Sequence, residues 1–404
     1  MDHRLTAASR RSVSLRGVRL PAACAAATVV LLASGCGSGP APQRIAAAPT
    51  VTPVATATPA PPAAARSVAI VWSLERPRRA LARVRRHEAV ESATLVHRGV
   101  ALLRASVDAD GRRVERVRAG YAIPLDVLMI DPGGYARTLP DEARAEFLAL
   151  RPGRALISET SARLRGVGAG GRLRLVAGRS LRVAGVVDDE LVRSSEVVIT
   201  DSDQRVRRGD GTSVLAVLRP DASVHPDGFA RRAERGAGAR VLPGGPLGER
   251  GFAGPARPAE LKARFGEPAV GLPYGDDWVR LDPAFLRRYI VTRSVPILGS
   301  VTCHRALIRP LRAALAELRR RGLSRLVDPG DYAGCYAPRR IRPGGSLSLH
   351  AWGLAVDLNA AANPYGSDAR QDPRLVRIML AHGFTWGGDW PTIRDPMHFE
   401  FRGR

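Results

Sequence analysis

Lysine is almost absent from this 404-residue chain, although the chain has 62 basic residues and a formal net charge of +24. Lys262 is the single lysine, so nearly every positive charge is an arginine, and the arginines are spread through every segment. A nucleic-acid-binding domain concentrates its basic residues on one face or stripe. The dispersed arginines, beside abundant alanine, glycine and proline, therefore indicate a compositional bias, and we expect no specific nucleic-acid partner.

Aromatic residues are also scarce, at 5% of the chain, yet hydrophobic residues as a group reach 45%. That share is enough for ordinary hydrophobic cores, which argues against a chain that is disordered throughout. A length of 404 residues predicts two or three domains. We expect an α+β fold class, with one α+β domain in the middle of the chain and a second, smaller domain after it.

No apolar run near the N-terminus is long enough to be a comfortable membrane-spanning helix. A short apolar run after several basic residues predicts an export signal over residues 1–36. The small residues before Cys36 resemble a lipobox, so we expect Cys36 to be lipidated and to anchor an extracytoplasmic protein to the membrane. Cleavage nearby with an unmodified thiol is the alternative. Residues 37–65 are rich in proline and alanine with almost no charge, which predicts a semi-extended linker.

The middle of the chain, residues 67–245, contains no recognisable catalytic cluster. Its short apolar runs predict strands that alternate with helices, as in an α+β domain. The predicted strands cover 67–72, 100–107, 173–176, 181–187, 196–199 and 214–218, and the predicted helices cover 79–86 and 141–148.

One part of this region carries a family resemblance. The stretch Ala155-Leu-Ile-Ser-Glu-Thr-Ser-Ala-Arg-Leu164, then Val167-Gly168, a strand pair around Gly178 and the run 183–187, resembles the extracytoplasmic core domain of MacB and FtsX-type transporter permeases. That resemblance implies contact with an envelope protein partner or a sensing role. The flanking transmembrane helices of such permeases do not accompany it, so transport is not implied. A spacer that positions the following domain is the alternative.

The most informative motif is Ser348-Leu-His350-Ala-Trp-Gly353-Leu-Ala355-Val-Asp357, followed near the chain end by Asp395-Pro-Met-His398-Phe-Glu400. Two imidazoles and one carboxylate are what a catalytic zinc needs, with a fourth position left open for water and a base nearby. We therefore assign His350, Asp357 and His398 as ligands of Zn²⁺, and Asp395 as the base.

The spacing of these residues indicates how they meet. Asp357 follows His350 by seven residues, which is too far for facing ligands on one helical turn, but Gly353 permits a turn between them. Side chains alternate in 354–358 and again in 397–401, as in strands. The sequence thus predicts two neighbouring strands that present the ligands to one cleft.

These motifs, with Trp386-Gly-Gly-Asp-Trp390 and Gly334-Cys-Tyr336-Ala-Pro-Arg339-Arg-Ile341, resemble the zinc D-Ala-D-Ala carboxypeptidases and the related L-alanyl-D-glutamate endopeptidases. The resemblance implies a peptidase domain over residues 255–404, built from a small antiparallel sheet with flanking helices, that hydrolyses peptidoglycan stem peptides. Whether a terminal or an internal bond is cut stays open. A non-catalytic binding module that keeps the zinc fold is the alternative, and a lipoprotein adaptor of an envelope complex is compatible with either.

The resemblance also implies roles for residues around the metal. Arg339 would stabilise the oxyanion or orient the substrate carbonyl, and the adjacent Arg340 is the alternative. Ser348 matches a substrate-contacting serine of the family, although a hydrogen bond that holds the loop of the first histidine explains it equally well. Trp386 is expected to contact substrate as a wall of the cleft together with Trp390, or else to pack in the core.

Cys303 and Cys335 are the cysteines that remain in the predicted exported domain. Two thiols in an oxidising compartment favour a disulfide, with a pair of free cysteines as the alternative. Leucines at helical spacing between 307 and 318 predict a core-facing helix that starts near Pro310, with His304 solvated just upstream. A second helix is predicted over 373–381.

Overall fold

The structure is a computed structural model that describes residues 67–72, 76–219, 240–242, 257–274, 277–341, 345–390 and 393–403. The predicted export signal, the linker and Cys36 lie outside the described residues. No helix within these ranges is both long and apolar enough to cross a membrane.

Strands and short helices alternate along the described chain. The strands are β1 (Ser67–Trp72), β2 (Val90–Val107), β3 (Arg113–Arg116), β4 (Tyr121–Ile130), β5 (Arg154–Ser158), β6 (Arg172–Leu175), β7 (Ser180–Val187), β8 (Val197–Thr200), β9 (Arg208–Leu218), β10 (Arg240–Leu242), β11 (Val270–Gly271), β12 (Ile290–Val295), β13 (Gly299–His304), β14 (Tyr332–Gly334), β15 (Ala355–Leu358), β16 (Phe384–Trp386) and β17 (His398–Phe401). The α-helices are α1 (Pro77–Arg85), α2 (Pro132–Ala136), α3 (Arg144–Leu148), α4 (Glu159–Arg165), α5 (Pro258–Phe265), α6 (Pro283–Tyr289), α7 (Arg305–Arg320), α8 (Leu349–Trp352) and α9 (Pro373–Ala381).

A large mixed sheet organises the middle of the chain. Its strand order is β10-β1-β9-β2-β6-β7-β5-β8-β4-β11, and β3 pairs with β2 beside this path. The long strand β2 joins the sheet together, because it pairs with β9 over its first half and with β4 and β6 further along. Strand β4 is buried at every position except Asp126. This sheet with its short helices confirms the α+β class predicted for the middle region.

Two small sheets form the C-terminal region. Strands β14, β15, β17 and β16 make an antiparallel sheet in that order, and β12 pairs with β13 in a separate ribbon. Helix α7 packs its leucines against them, and Leu307, Leu311, Leu315 and Leu318 are fully buried in the same core as Phe384 and Phe399. The predicted small antiparallel sheet with flanking helices is confirmed, and α9 has the predicted bounds.

Helix α7 begins earlier than predicted. It starts at Arg305, so Pro310 lies inside the helix. A proline there removes one backbone donor from the helical ladder. Burial of Leu307 and Leu311 on either side of Pro310 holds the helix in place despite that loss.

The prediction that His304 is solvated was wrong. Its side chain is buried and caps α7, since Nδ1 accepts a hydrogen bond from the Ala306 amide at 3.1 Å. Nε2 lies 3.0 Å from the Phe265 carbonyl oxygen and therefore carries the proton. Burial lowers the pKa of His304 below its ordinary value, and the charge of Arg305 acts in the same direction.

The buried His304 should make stability pH-dependent. Because its folded pKa is lowered, the unfolded chain takes up the proton first as the pH falls through about 6.5. The free energy of unfolding should therefore fall between pH 7 and pH 5, by at most about 1.4 kcal/mol per pH unit for this one proton. Urea titrations at several pH values should show a shallower dependence for His304→Asn than for the unmodified chain. Parallel curves would contradict the assignment.

A disulfide joins Cys303 at the end of β13 to Cys335 just after β14, with 5.4 Å between the two Cα atoms. The pairing is the one predicted. A cross-link across 32 residues stabilises a fold by roughly 3 to 4 kcal/mol in the chain-entropy description. It also fixes the strand that precedes the Arg339 segment to the start of α7.

Candidate metal centre

His350 is presented by a single helical turn. Ser348 caps α8, since its Oγ accepts a hydrogen bond from the His350 amide at 3.3 Å. Gly353 ends α8 with a φ of 67°, and a Cβ there would lie 2.6 Å from the His304 amide nitrogen. Only glycine fits this left-handed, crowded position, so the chain can turn from α8 directly into β15.

Asp357 and His398 lie on paired strands. In the antiparallel pair β15–β17 they are directly opposite each other. Residues in that relation have neighbouring Cβ atoms and side chains on the same face of the sheet. The two strands predicted from alternation therefore do bring these two side chains together.

Three buried side chains converge at one point. His398 Nδ1 lies 2.8 Å from Asp357 Oδ1, and His350 Nε2 lies 3.1 Å from both Asp357 Oδ2 and His398 Nδ1. One donor atom from each residue lies within 4.8 Å of the others, which is compatible with a single metal ion. All three side chains of this cluster, His350, Asp357 and His398, are buried.

The outer nitrogen of each imidazole is held by a further group. His350 Nδ1 lies 2.8 Å from the Cys335 carbonyl oxygen, so Nδ1 donates and Nε2 faces the cluster. His398 Nε2 donates to Glu400 Oε1 at 3.2 Å, which leaves Nδ1 facing the cluster. Metal-binding histidines typically donate their outer N–H to a carbonyl or a carboxylate in this way.

The electrostatics of the cluster favour positive charge. Burial alone would lower the pKa of His398, but hydrogen bonds to the Asp357 and Glu400 carboxylates outweigh it and raise the pKa to about 10. Burial would raise the pKa of Asp357, yet hydrogen bonds from the two imidazoles hold it well below its usual range. Two ionised carboxylates around buried imidazoles are a setting that a divalent cation would neutralise.

Asp395 lies beside the cluster with part of its carboxylate unsatisfied. Burial raises the pKa of Asp395, although the positive charges of His398, His350 and Arg339 oppose the shift. Its Oδ1 is buried and has no hydrogen-bond partner among the described residues. A buried carboxylate oxygen without a partner calls for an explanation, and a bound water or substrate would supply one.

A close backbone approach places Asp395. Its amide donates to the Gly387 carbonyl at 2.9 Å, and a Cβ on Gly387 would lie only 2.4 Å from the Asp395 carbonyl oxygen. Gly387, the first glycine of the Trp386-Gly-Gly-Asp-Trp390 motif, is therefore required, because a side chain there would collide with the Asp395 backbone. Trp386 supports the same loop, since its indole N–H donates to the Pro396 carbonyl at 2.7 Å.

Arg339 and Arg340 point in different directions. Arg340 is buried, with its guanidinium 4.7 Å from the centre of the Tyr274 ring. Arg339 is half-buried, and its charge acts on Asp395. Trp278 stands directly opposite Arg339 in a β-bridge and is 65% exposed, so the face that carries Arg339 is the open one.

Residues 342–401 match the family model described as D-alanyl-D-alanine carboxypeptidase. The matched segment contains the three converging side chains and Asp395. The match confirms the family resemblance of the C-terminal region and supports a peptidase domain there.

Two solved structures are also similar to part of this chain. The periplasmic region of MacB from Actinobacillus actinomycetemcomitans has 10% identity and a TM-score of 0.29, and the match covers 44% of this chain and 88% of that one. The extracellular domain of the noncanonic ABC-type transporter YknZ from Gram-positive bacteria has 12% identity and a TM-score of 0.28, with 44% and 100% covered. MacB is also one of the transporters that residues 155–187 resemble in sequence.

The remaining predicted site residues of the C-terminal region lie on segments next to those that carry the cluster. Ser348 holds the His350 turn, which fits the structural explanation of this serine, and its contact with substrate stays a prediction. Trp386 is half-buried and its ring stacks on Phe399, with 6.3 Å between ring centres, so its contact with substrate likewise stays a prediction. Trp390 is the tryptophan in ring contact with His398, at 5.3 Å between centres.

Sequence reasoning gave Glu400 no role, although it stood in the quoted motif. Its position two residues after His398 on β17 was the available signal, because residues at i and i+2 share a face of a strand. Glu400 is buried, and Arg402 bonds its second oxygen at 2.8 Å. The Glu400 carboxylate is thus fixed beside Nε2 of His398, the ring nitrogen that faces away from the cluster.

Replacing Glu400 by glutamine should weaken zinc binding by roughly 10- to 100-fold, because the charge that supports the His398 N–H is lost. Competition with a chromophoric zinc chelator measures this affinity directly. Glu317→Gln is the matched control, since Glu317 bonds His382 at 2.8 Å away from the cluster. Equal zinc affinity in the two variants would show that Glu400 does not support a ligand.

Proposed function

We propose that the C-terminal domain is a zinc-dependent peptidase that hydrolyses peptidoglycan stem peptides. The observation that carries this proposal is the convergence of buried His350, Asp357 and His398 beside Asp395, whose buried Oδ1 lacks a partner among the described residues. The donor set of two imidazoles and one carboxylate suits Zn²⁺ and leaves a fourth position open. The family match over residues 342–401 supports peptidoglycan stem peptides as the substrate class.

Zinc held by His350 Nε2, Asp357 and His398 Nδ1 would make a water molecule more acidic and polarise the scissile carbonyl. Asp395 then has the role of base. Its carboxylate accepts the proton of the attacking water and afterwards delivers it to the leaving amine. The unpaired Oδ1 provides an acceptor for that proton.

Arg339 is assigned to the substrate. Its guanidinium is on the open face near Asp395, where it can donate hydrogen bonds to the substrate carbonyl or to a carboxylate. Arg340 is unsuitable for this role because it is buried against Tyr274. Trp278 extends the same face with an exposed aromatic surface.

Incubation of the purified, zinc-loaded chain with defined stem peptides, followed by mass spectrometry, tests the function. Loss of one terminal alanine would identify a D-Ala-D-Ala carboxypeptidase. Cleavage between L-alanine and D-glutamate would identify an endopeptidase. Intact peptides after incubation with zinc-loaded protein would count against an enzyme and for a binding module that keeps the zinc fold.

We further propose that the enzyme works outside the cytoplasm on a lipid anchor at Cys36. A largely polyproline II linker over residues 37–65 would reach on the order of 80 to 90 Å, which suits an enzyme that acts in a wall above a membrane. An envelope protein partner for the middle region remains a proposal from the sequence resemblance.

Cys36→Ala should remove lipid labelling and shift the protein from the membrane to the soluble exported fraction. Cell fractionation with metabolic labelling by a fatty-acid analogue measures both effects, and Cys36→Ser is a second variant with the same expectation. Unchanged membrane retention of both variants would contradict the anchor.

A further inference from the structure

The peptidase region is built onto the large sheet of the middle region through a buried polar contact. Strand β11 pairs with β4, so the segment after α5 extends that sheet. Lys262 of α5 is buried, and its Nζ donates to the Pro124 carbonyl at 2.6 Å and to Glu196 Oε2 at 2.5 Å. A buried lysine with such partners ties the two regions tightly, because breaking the pair would leave uncompensated buried charge.

Asp126 is held by the same buried group, through Glu196. It lies on β4, two residues after Pro124, and its backbone amide donates to Glu196 Oε2 at 3.1 Å. Its carboxylate faces the peptidase region, where Oδ1 accepts a hydrogen bond from the hydroxyl of Ser346. Asp126 therefore connects the middle sheet to a segment 220 residues further along the chain.

Ser346 belongs to the hairpin that carries Arg339. Its carbonyl accepts from the Ile341 amide at 3.0 Å, and the Arg339 carbonyl accepts from the Ser348 amide at 3.0 Å. Arg340 and Leu347 form a β-bridge between these two bonds. One strand of this hairpin thus carries Arg339, which is proposed to bind substrate. The other strand leads directly into α8 and His350.

Tyr274 holds the hairpin from a second direction. Its hydroxyl donates to the Gly345 carbonyl at 3.2 Å, and its ring packs under the buried Arg340. With Arg340 held inward, the alternation of the strand turns Arg339 outward. The direction of Arg339 therefore depends on how firmly the hairpin is held at Ser346 and Gly345.

We propose that Asp126 is a positioning residue for Arg339, so that the middle sheet is a structural part of the substrate site and not a spacer. The inference rests on the proposed function for the role of Arg339. The hydrogen bond from the Ser346 hydroxyl to the Asp126 carboxylate is the connection. Removing either partner frees the hairpin that places the guanidinium.

The test uses the full zinc-loaded chain with Ser346→Ala, Asp126→Ala and the double variant. Ser346→Thr keeps the hydroxyl and should rescue the hairpin. Asp203→Ala is the matched control, because Asp203 is another buried carboxylate of the middle region, bonded to the Gly153 amide at 2.6 Å. Hydrogen exchange of the Ile341 and Ser348 amides reports on the hairpin whether or not the protein is a peptidase.

Each alanine variant at the contact should speed exchange of these two amides by roughly tenfold, because each removes one hydrogen bond that holds the hairpin. The double variant should add little to either single change, since both remove the same bond. With stem peptides as substrate, KM should rise by roughly tenfold while kcat changes less. Zinc affinity should stay the same, because Asp395 lies on a different loop and the His350 imidazole is held separately by the Cys335 carbonyl.

Unchanged hairpin exchange in Ser346→Ala and Asp126→Ala, or an equal change in Asp203→Ala, would overturn the proposal. Faster exchange with an unaltered KM would also overturn it, since Arg339 would then not depend on the contact. If the unmodified chain fails to cleave any stem peptide, the proposed function fails. Faster exchange of the hairpin in the two variants would then still support the connection from Asp126 to the hairpin.

Discussion

Asp395→Asn should lower the hydrolysis of stem peptides by about a hundred- to ten-thousand-fold, which is the usual contribution of a general base. Asparagine keeps the size of the side chain, and the hydrogen bond from the Asp395 amide to Gly387 does not involve the side chain. The loop should therefore stay in place. Because His350, Asp357 and His398 are unaltered, zinc should remain near one per chain.

Two measurements on the same preparation check this result. Zinc content by atomic absorption should match the unmodified protein, while steady-state kinetics should show a loss in kcat and little change in KM. Near-normal hydrolysis would show that Asp395 is not the base. Loss of zinc would show that Asp395 is a ligand, and Asp357 would then be the residue to reconsider.

His398→Ala should abolish zinc binding and hydrolysis together. The substitution removes Nδ1 from the cluster and leaves at most two protein ligands, which is fewer than a catalytic zinc site uses. It also leaves the buried carboxylates of Asp357 and Glu400 without their shared imidazole. We therefore expect a lower melting temperature in addition to the loss of metal.

His382→Ala is the matched control for this experiment. His382 follows the last residue of α9 and bonds Glu317, apart from the cluster. It should keep both zinc and activity. Retention of one zinc per chain by His398→Ala would contradict the proposed ligand set, and a fall in zinc in both variants would point to a general loss of folding.

Local patterns in the sequence predicted how the candidate site is assembled because two of its three residues, Asp357 and His398, lie on regular strands. The alternation around Asp357 and His398 was enough to place them on neighbouring strands, and Gly353 marked the turn after His350. The helix α9 was predicted with its correct bounds, since Pro373 begins it and the apolar residues recur at helical spacing.

Other elements were missed for physical reasons. Strand β4 lies deep in the large sheet, but Pro124 within it lacks the amide donor expected of such a strand. Strand β5 was not predicted, because it is short and Ser158, which ends it, caps α4 at once. The start of α7 was placed too late because burial of leucines outweighs the cost of Pro310.

Contacts between distant segments had no local signal at all. Asp126 and Ser346 are 220 residues apart, and neither lies in a motif that points to the other. The supporting role of Glu400 also depends on which nitrogen of His398 faces the cluster, which only the folded geometry defines. Side-chain contacts of this kind depend on how the folded chain brings its segments together, and local periodicity does not report that.

The direct pairing of Asp357 with His398 has a consequence for how such a domain can diversify. A slip of one residue between β15 and β17 would turn one ligand to the other face of the sheet, so this register must be kept. Part of the chain between them is constrained as well, because β16 pairs with β17 and the loop from Gly387 to Asp395 places the proposed base. Residues 359–383 contain no strand of this sheet and no proposed site residue. Loops and helices of different length could be exchanged there, and substrate preference could change while the Asp357–His398 pair is inherited intact.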